Sequence, residues 1–485
     1  MTHRPNIVLI LSDQHRGDVM GCAGNTVAST PNLDRLAAEG VLFRRCNTSS
    51  PLCMPARSCL ATGQYPNQHG VWGNSTEADR YGPSHVRNIR DAGYHTAVIG
   101  KTHLWIHGRD AGHSNQHEPA LHDWGFQDTH ESMTFGIWSG CYYADWLAER
   151  DRLVGLKEYM RTLGRSRAHP WETPPSVLPN DEHRDTYCTR TAAQWIRNYQ
   201  GDKPFYLQIC PSGPHPPFDS PAEYRELYRP EDMPLAIMDP PSEPVSPQVE
   251  RWVAWSRLQS MTECQNRLMR AYYYAKVSHV DHAIGIVLKA LEESNLMDNT
   301  WIVYTSDHGE LLGDHRINQK NVFYEGALNI PLIIRPPGGS PAWSADGLTD
   351  HFDICASLLD AAGAEPLDGS SGISLLPKVQ AGPDARDAQE GKDVVFSEVQ
   401  LHSMARNAQY KMTIDSLTRQ PLELYDMEND PTELRNLANE PSLRGVCERF
   451  LNDYFCRLLD GMDDARVKAY QETWDYFPDL KGEVH

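Results

Sequence analysis

Short apolar runs bounded by turn residues alternate along this chain with segments of helical periodicity. We expect strands at Ile7–Leu11, Thr96–Ile99, Phe205–Ile209, Trp301–Thr305 and Pro331–Ile334. The helices between them are predicted at Asn32–Glu39, Ala192–Tyr199, Met269–Ser294 and Phe352–Ala361. Runs that are apolar on both faces and separated by helices are typical of a mostly parallel sheet covered on both sides. The pattern predicts an α/β fold in which a large, mostly parallel mixed sheet is flanked by helices.

The pattern changes after Leu376, where short strand-like runs follow one another without long helices between them. These runs are Val394–Val399, Gln409–Ile414 and Glu423–Tyr425, and a helix is predicted after them at Pro441–Leu459. A chain of 485 residues is too long for one simple core. We therefore expect a large domain over residues 1–364. A smaller C-terminal α+β subdomain, a short antiparallel sheet plus a helix, is expected over residues 365–485.

The charge and hydropathy of the chain exclude several classes of protein. A formal net charge of -20 disfavours nucleic-acid binding, because contacts to phosphates need a basic surface. No apolar run is long enough to span a bilayer, and Ile7–Leu11 is too short for a signal-peptide core. The 11 cysteines contain no Cys-x-x-Cys pair, which favours reduced thiols over a zinc site. We expect a soluble, cytoplasmic protein that binds neither nucleic acid nor membrane.

Polar side chains follow four of the predicted strands, where each strand ends. They are Asp13 and Gln14, then Lys101 and His103, then His215, and finally Asp307 and His308. A single aspartate after a strand is more often a helix cap or turn residue than a ligand. In open α/β sheets, however, ligands bind beyond the carboxyl ends of the strands. Four such ends together predict one shared crevice.

The side chains at these strand ends form two chemical groups. Oxygen donors and one imidazole come from Asp13, Gln14, Asp307 and His308. Such donors suit Ca²⁺, Mg²⁺ or Mn²⁺, and the imidazole favours Mn²⁺. Cationic or proton-carrying groups come from Lys101, His103, His215 and Lys320. A metal ion combined with cationic side chains is what an oxyanion such as sulfate or phosphate requires.

One cysteine lies in an unusual position. Pro55 suits the first turn of a helix that runs to about Thr62, and Gly63 can terminate that helix. Cys53 then lies at the helix N-terminus, where the helix dipole stabilises negative charge, with Arg57 one turn further on. A buried structural cysteine is the common alternative. A nucleophile would need a nearby base.

The segment Cys53-Met-Pro-Ala-Arg57 is a Cys-x-Pro-x-Arg signature, and with it the chain resembles the type I sulfatases of the alkaline phosphatase superfamily. Further blocks resemble the family in the same order: Thr30–Gly40, Gly63–Gly70, Gly100–His103, Pro214–Phe218, Ser306–Gly309 and Tyr324–Gly326. Leu424-Tyr-Asp426 and Asp430-Pro431 are similar to the C-terminal subdomain of the family. The resemblance spans nearly the whole chain.

The resemblance implies that a formylglycine-generating maturation enzyme oxidises Cys53 to formylglycine. The hydrated aldehyde is a geminal diol, and one hydroxyl attacks sulfur and displaces the alcohol. The second hydroxyl then loses a proton and expels sulfate, a route that a plain thiolate lacks. The implied substrate is a small-molecule or saccharide sulfate ester.

The resemblance also implies a role for each candidate site residue. One divalent metal ion would be bound by Asp13, Gln14, Asp307 and His308, with residue 53 completing the ligand set. Family habit favours Ca²⁺, with Mn²⁺ or Mg²⁺ as alternatives. Arg57 and Lys101 would hold the formylglycine oxygens and His103 would act on the diol. His215 and Lys320 would bind the sulfate and protonate the leaving oxygen. Asn74 matches a substrate-side position.

The chain departs from the commonest family pattern at the metal site. Many members have Asp-Asp and Asp-Asn where this chain has Asp13-Gln14 and Asp307-His308, a variant similar to choline sulfatases and phosphonate monoester hydrolases. A phosphonate monoester hydrolase or phosphodiesterase that uses the same aldehyde is therefore one alternative. Lys101 with His103 favours a sulfatase. A binding protein that keeps the fold but never matures Cys53 is an alternative of a different class.

Overall fold

The computed structural model describes residues 4–108, 110–132, 136–163, 169–239 and 245–474. Its strands are, in chain order, β1 (Asn6–Ser12), β2 (Val41–Phe43), β3 (Cys46–Asn47), β4 (His95–Gly100), β5 (Asp128–Glu131), β6 (Phe205–Cys210), β7 (Thr300–Ser306), β8 (Asn329–Ile330), β9 (Leu332–Arg335), β10 (Trp343–Ala345), β11 (Thr349–Asp350), β12 (Val395–Val399), β13 (His402–Arg406), β14 (Tyr410–Asp415) and β15 (Pro421–Asp426). Eight of them form the main sheet, in the order β10-β2-β9-β7-β1-β6-β4-β5.

The main sheet is mixed and mostly parallel, as predicted. β1 lies near its middle and pairs in parallel with β6 and β7, while β4 pairs in parallel with β5 and β6. β9 runs antiparallel to both of its neighbours, β2 and β7. Three strands, β3, β8 and β11, form a small second sheet.

The helices of seven or more residues lie on both faces of the main sheet or around its edges. They are α1 (Pro31–Ala38), α2 (Cys53–Thr62), α3 (His85–Asp91), α4 (Glu118–Trp124), α5 (Tyr142–Ala148), α6 (Leu153–Thr162), α7 (Arg184–Asn198), α8 (Pro247–Ser256), α9 (Glu263–Glu293), α10 (His351–Ala362) and α11 (Asp464–Trp474). Within the described parts of the chain, no helix combines the length and the apolar composition needed to cross a bilayer.

Every residue of β1 is buried, because helices cover both faces of the strand. Ile7 and Leu9 point to one face and join a cluster that includes Ile354 of α10. Val8 points to the other face and packs in a cluster with Ile284 of α9. Successive side chains of a strand alternate between faces, so an apolar run such as this one satisfies both layers at once. Each fully buried aliphatic side chain contributes about 1.5–3 kcal/mol.

The five predicted strands are all present, whereas several short elements were not predicted. β2, β5 and β10 have three or four residues each, too few for a clear periodic signal. Helix α7 begins eight residues before the predicted Ala192, because its first turns bury polar residues such as Asp185 and Thr189 that carry no apolar periodicity.

The C-terminal part contains the predicted antiparallel sheet and helix. β12, β13, β14 and β15 form a four-stranded antiparallel sheet in sequence order. A continuous helical run follows, with successive segments Pro441–Leu443, Arg444–Arg449, Phe450–Phe455 and Cys456–Leu459. β13 was not predicted, since its sequence His-Ser-Met-Ala-Arg is largely polar. Strand β12 contacts the preceding part of the chain through Glu398, which accepts hydrogen bonds from the backbone and side chain of Asn67.

Candidate functional site

The carboxyl ends of the central strands meet at one edge of the main sheet. β1 and β7 are parallel neighbours with Ser12 opposite Ser306, so Asp13 and Asp307 lie side by side directly after them. The backbone N–H of Asp307 donates to the carbonyl oxygen of Ser12 at 3.2 Å. This register places two buried carboxylates side by side at the carboxyl ends of β1 and β7.

The next two strands bring further predicted residues to the same edge. The N–H of Lys101, after β4, donates to the carbonyl oxygen of Cys210 in β6 at 2.8 Å. The N–H of Asp13 donates to the carbonyl oxygen of Gly213 at 3.2 Å, two residues before His215. The structure therefore brings all four predicted strand ends together.

Four side chains at this edge could hold a metal ion. Asp13, Cys53, Asp307 and His308 are all buried, and each offers one ligand atom within 4.8 Å of the others. The Nδ1 atom of His308 lies 3.0 Å from the carbonyl oxygen of Gly309, which turns Nε2 toward the cluster. Two carboxylates and one imidazole are a donor set that fits a divalent cation.

Two cations stand beside the carboxylates of this cluster. The Nε atom of Arg57 lies 2.8 Å from Oδ2 of Asp307, and its Nη2 atom lies 3.3 Å from Oδ2 of Asp13. The Nζ atom of Lys101 lies 2.5 Å from the same oxygen of Asp13. Burial alone would raise the pKa of Asp13, but Lys101, His215 and Arg57 hold it well below its usual range. Asp13 is therefore a carboxylate at any physiological pH.

Cys53 is the first residue of α2, two residues earlier than the predicted start at Pro55. Gly63 ends the helix in the left-handed conformation, with φ of 65°, as expected. The helix dipole favours negative charge at Cys53, but burial and the neighbouring Asp13 outweigh it and raise the pKa of the thiol to about 11. The unmodified thiol is therefore protonated at neutral pH and is a poor nucleophile.

Both predicted catalytic histidines are neutral, with His103 buried and His215 half-buried. Burial, with Lys101 nearby, holds the pKa of His103 well below its ordinary value, and burial with Lys320 does the same for His215. The His103 ring stacks on His107 with centroids 4.5 Å apart, and its Nδ1 atom has no hydrogen-bond partner among the described residues. Neutral imidazoles of this kind can accept a proton at neutral pH.

Asn74 lies at the N-terminal end of the same helix as Cys53. Its Oδ1 atom accepts a hydrogen bond of 3.0 Å from the backbone N–H of Met54. The Asn74 side chain is half-buried. The predicted substrate-side residue is thus tied to the residue that follows Cys53.

A buried carboxylate that was not predicted, Glu310, lies behind the cluster. Its Oε2 atom accepts a hydrogen bond from Nε2 of Gln14, while Oε1 of Gln14 accepts one from Nζ of Lys320. All three side chains are buried. Glu310 directly follows the block Ser306-Asp-His-Gly309, and this position is the sequence feature from which its presence at the site could have been predicted.

Glu131 and His107 are two further residues that sequence reasoning missed at this site. Glu131 ends β5 and accepts hydrogen bonds from the backbone N–H and the hydroxyl of Thr102, at 2.9 and 2.6 Å. The Nε2 atom of His107 lies 3.4 Å from Oε1 of Glu131. Glu131 thereby holds the turn between Lys101 and His103. The strand that carries it is too short and polar to predict.

Comparison with known proteins identifies the family. A family model described as "Sulfatase" matches residues 5–364, which is most of the chain.

The chain belongs to the sulfatase family.

A second family model, described as "N-sulphoglucosamine sulphohydrolase, C-terminal", matches residues 313–455 of this sulfatase. An arylsulfatase of Clostridium perfringens is 29% identical over 478 residues, covering 97% of this chain and 96% of the relative. A choline-sulfatase of Rhizobium meliloti is 27% identical and covers 91% of this chain and 83% of the relative. The phosphonate monoester hydrolase of Agrobacterium radiobacter has a similar fold, with a TM-score of 0.75 at 24% identity, covering 93% of this chain and 94% of that one. The resemblance found in the sequence is confirmed, and the protein is a sulfuric ester hydrolase.

Proposed function

We propose that this sulfatase hydrolyses sulfate esters through a formylglycine made from Cys53, with one divalent metal ion beside it. The observation that carries the proposal is the position of Cys53. Its Sγ atom lies 3.1 Å from Nε2 of His308 and 3.9 Å from Oδ1 of Asp13, inside the candidate metal cluster. A protonated, buried thiol has no evident chemistry of its own there, whereas an aldehyde hydrate at the same place would.

The residues that would hold the metal ion are Asp13, Asp307 and His308, with residue 53 as a further ligand. Gln14, whose backbone N–H donates to Asp307, would add its amide oxygen. Two carboxylates and an amide oxygen favour a hard cation, and we propose Ca²⁺, with Mn²⁺ as the alternative because of the imidazole and Mg²⁺ as a third choice. When bound, the ion would supply Lewis acidity that polarises the S–O bonds of the ester.

The residues around Cys53 would each have a separate role at the aldehyde hydrate. Arg57 and Lys101 would hold its oxygens, since both cations already lie against Asp13 at the carboxyl end of β1. His103 would take the proton of the second hydroxyl when sulfate is expelled, because its imidazole is neutral and its Nδ1 atom is unengaged among the described residues.

On the opposite side, His215 and Lys320 would bind the sulfate and protonate the leaving oxygen. Lys320 is buried and lies near His215, whose pKa it helps to lower. A cation fixed against a non-bridging or leaving oxygen stabilises the charge that develops as the ester bond breaks. Asn74 would contact the substrate from the N-terminal end of α2. We propose a small-molecule or saccharide sulfate ester as the substrate.

We also propose that residues 1–364 form the catalytic domain and residues 365–485 a C-terminal subdomain. The four antiparallel strands and the helical run that follows them all come after residue 364. The match to the Sulfatase family model also ends there. Residues 475–485 lie outside the described part of the chain.

The test of the proposed function combines mass with activity. The protein is co-expressed with a formylglycine-generating enzyme, which is the maturation partner that we propose. Conversion of cysteine to formylglycine lowers the intact mass by about 18 Da, as the change from CH₂–SH to CHO requires. We expect the converted protein to hydrolyse an aryl sulfate and the unconverted protein to be inactive. Conversion without turnover of aryl or saccharide sulfates would contradict the proposal, and no conversion would favour a non-catalytic binding role.

Phosphonate monoester or phosphodiester hydrolysis is a second candidate. Gln14 and His308 favour it, because they depart from the acidic pattern common in sulfatases. Turnover of an aryl phosphonate faster than the matched aryl sulfate would make it the main activity. We expect the reverse, since Lys101 and His103 place a cation and a base next to residue 53.

A further inference from the structure

The loop that follows Asp307 and His308 contains a carboxylate that contacts two parts of the site. Glu310 is fully buried, and Oε1 accepts hydrogen bonds from the backbone N–H groups of Leu312 at 3.0 Å and Gln319 at 2.5 Å. Oε2 accepts from Nε2 of Gln14. All three partners are N–H donors, so both carboxylate oxygens of Glu310 are engaged as acceptors.

The contact with Gln14 decides how that amide is turned. With Nε2 against Glu310, Oε1 faces the ammonium group of Lys320. The opposite orientation would bring an amide NH₂ against an ammonium and a carbonyl oxygen against a carboxylate. Both of these contacts are repulsive, so Glu310 and Lys320 together permit only one orientation.

In that orientation the amide presents its oxygen to Lys320 and its NH₂ group to Glu310. The backbone N–H of Gln14 donates to Oδ1 of Asp307 at 3.0 Å, which anchors the residue to the candidate metal cluster. An amide oxygen is a metal ligand, whereas an amide NH₂ is not.

Glu310 also shapes the loop that carries Lys320. Glu310 accepts hydrogen bonds from the backbone N–H groups of Leu312 and Gln319. It thereby links two distant points of the loop that leads from β7 to Lys320. The φ angles of Leu312 and Gln319 are positive, 51° and 74°, so the local backbone conformation is costly and needs tertiary contacts to hold it. One carboxylate thus fixes the amide of Gln14 and the backbone next to Lys320.

We propose that Glu310 is a positioning residue that holds the Gln14 amide with its oxygen toward the metal ion and keeps Lys320 in place behind the substrate. The proposal rests on the metal site of the proposed function and adds a residue that does not itself bind the ion. Groups that orient metal ligands typically affect metal affinity by about 10- to 100-fold.

The test measures metal binding directly, by calorimetric titration of CaCl₂ and of MnCl₂ into chelator-treated protein. We expect Glu310→Gln to raise the dissociation constant for the metal ion by about 10- to 100-fold. Glu398→Gln is the matched control, because Glu398 is equally buried and also accepts three hydrogen bonds, from Asn67 twice and from Ser403, but lies in β12. Its metal affinity should equal that of the wild type.

A second variant and a double-mutant cycle separate position from charge. Glu310→Asp keeps the charge but is one methylene too short to reach Gln14 and the two backbone groups together, so it should also lose metal affinity. If Glu310 acts through Gln14, its replacement should cost much less affinity in a Gln14→Ala background. An equal loss in both backgrounds, or wild-type affinity in Glu310→Asp, would overturn the proposal in favour of a charge effect.

The outcomes also separate this proposal from the proposed function. Wild-type protein that binds neither ion would contradict the metal site itself. Wild-type protein that binds an ion, together with Glu310→Gln protein that binds it equally well, would overturn only the role of Glu310. Circular dichroism shows whether Glu310→Gln folds. If it does not, the metal affinity of Glu310→Asp, measured alone and together with Gln14→Ala, decides the question.

Discussion

The Sγ atom of Cys53 lies 3.1 Å from the Nε2 atom of His308, although 255 residues separate them in the chain. The contact joins the N-terminus of α2 to the end of β7. It places Cys53, which we propose is converted to formylglycine, against the imidazole of the candidate metal site. The first prediction follows from this contact, and the second concerns the metal site that the contact borders.

Replacing Cys53 should abolish hydrolysis of sulfate esters. Cys53→Ala removes the precursor of the aldehyde, and Cys53→Ser offers a single hydroxyl that cannot expel sulfate by the diol route. We expect both variants to lose activity to background when assayed with an aryl sulfate after co-expression with the maturation enzyme. Cys59→Ala, on the same helix and equally buried, should remain active. Activity in the Cys53→Ala protein would refute the assignment of the nucleophile.

Metal binding should stabilise the folded protein through Asp307. A ligand present at 100 times its dissociation constant raises the free energy of unfolding by about 2.7 kcal/mol. We expect CaCl₂ or MnCl₂ to raise the melting temperature of chelator-treated wild-type protein. The increase should disappear in Asp307→Asn, which has lost one of two carboxylates in the cluster. Asp281→Asn, a buried carboxylate on α9, should keep it. An undiminished increase in Asp307→Asn would place the ion elsewhere.

Lys101 and Lys320 should act in catalysis rather than in solubility. Both are buried, beside Asp13 and Gln14, and should stabilise charge in the transition state. Replacing either by Met should lower kcat by about 100-fold or more. The exposed Lys289→Met serves as the control and should leave kcat unchanged.

The two lysines should differ in how they respond to the leaving group. Across aryl sulfates of increasing phenol pKa, the loss in Lys320→Met should grow if this residue helps to protonate the departing oxygen. The loss in Lys101→Met should stay constant. Parallel plots of log kcat against phenol pKa for Lys320→Met and wild type would remove the leaving-group role of Lys320.

A buried charge network supports the segment before His215 and should be costly to break. The Nζ atom of Lys276 lies 3.0 Å from Oδ1 of Asp219 and 3.3 Å from Oδ2 of Asp185, and all three side chains are buried. Lys276→Met would remove the nearest cation of two buried carboxylates, with Arg184 remaining 3.6 Å from Asp219, and should cost about 3–5 kcal/mol of unfolding free energy. Asp185 also accepts the N–H of Gly213. Urea denaturation measures the loss, and the double variant with Asp219→Asn should recover part of it.

Glu398 should give the protein a measurable dependence of stability on pH. Burial raises the pKa of this carboxyl from 4.5 to about 7. The folded protein therefore retains a proton that the unfolded chain releases near pH 4.5. The stability that this proton provides is complete below pH 4.5 and is lost as pH rises through about 7.

Comparison with Glu398→Gln isolates this contribution, because the variant cannot titrate at that position. Between pH 4.5 and 7 the wild type should lose about 3 kcal/mol relative to Glu398→Gln, at 1.36 kcal/mol per pKa unit. Urea midpoints at half-unit pH steps measure the difference. A difference that does not change with pH would show that Glu398 is ionised in the folded protein.

The sequence by itself determined the elements that depend on local patterns. The apolar run Ile7–Leu11 must be covered on both faces, and it lies in the middle of the sheet. The spacing from Cys53 to Arg57 fixes a thiol and a cation one helical turn apart, whatever the rest of the chain does. Because ligands of such sheets lie at strand ends, the residues of the crevice could also be predicted before their distances were known.

Only the tertiary structure decided how those residues affect one another. The high pKa of Cys53 depends on burial and on Asp13, which overrule the helix dipole that the local sequence suggests. The contact of Gln14 with Glu310 joins residues 296 positions apart through a loop whose path depends on positive φ angles. A pattern read along the chain reports periodicity over a few residues. Desolvation and contacts between distant residues arise only when the chain folds and excludes water from the groups that it brings together.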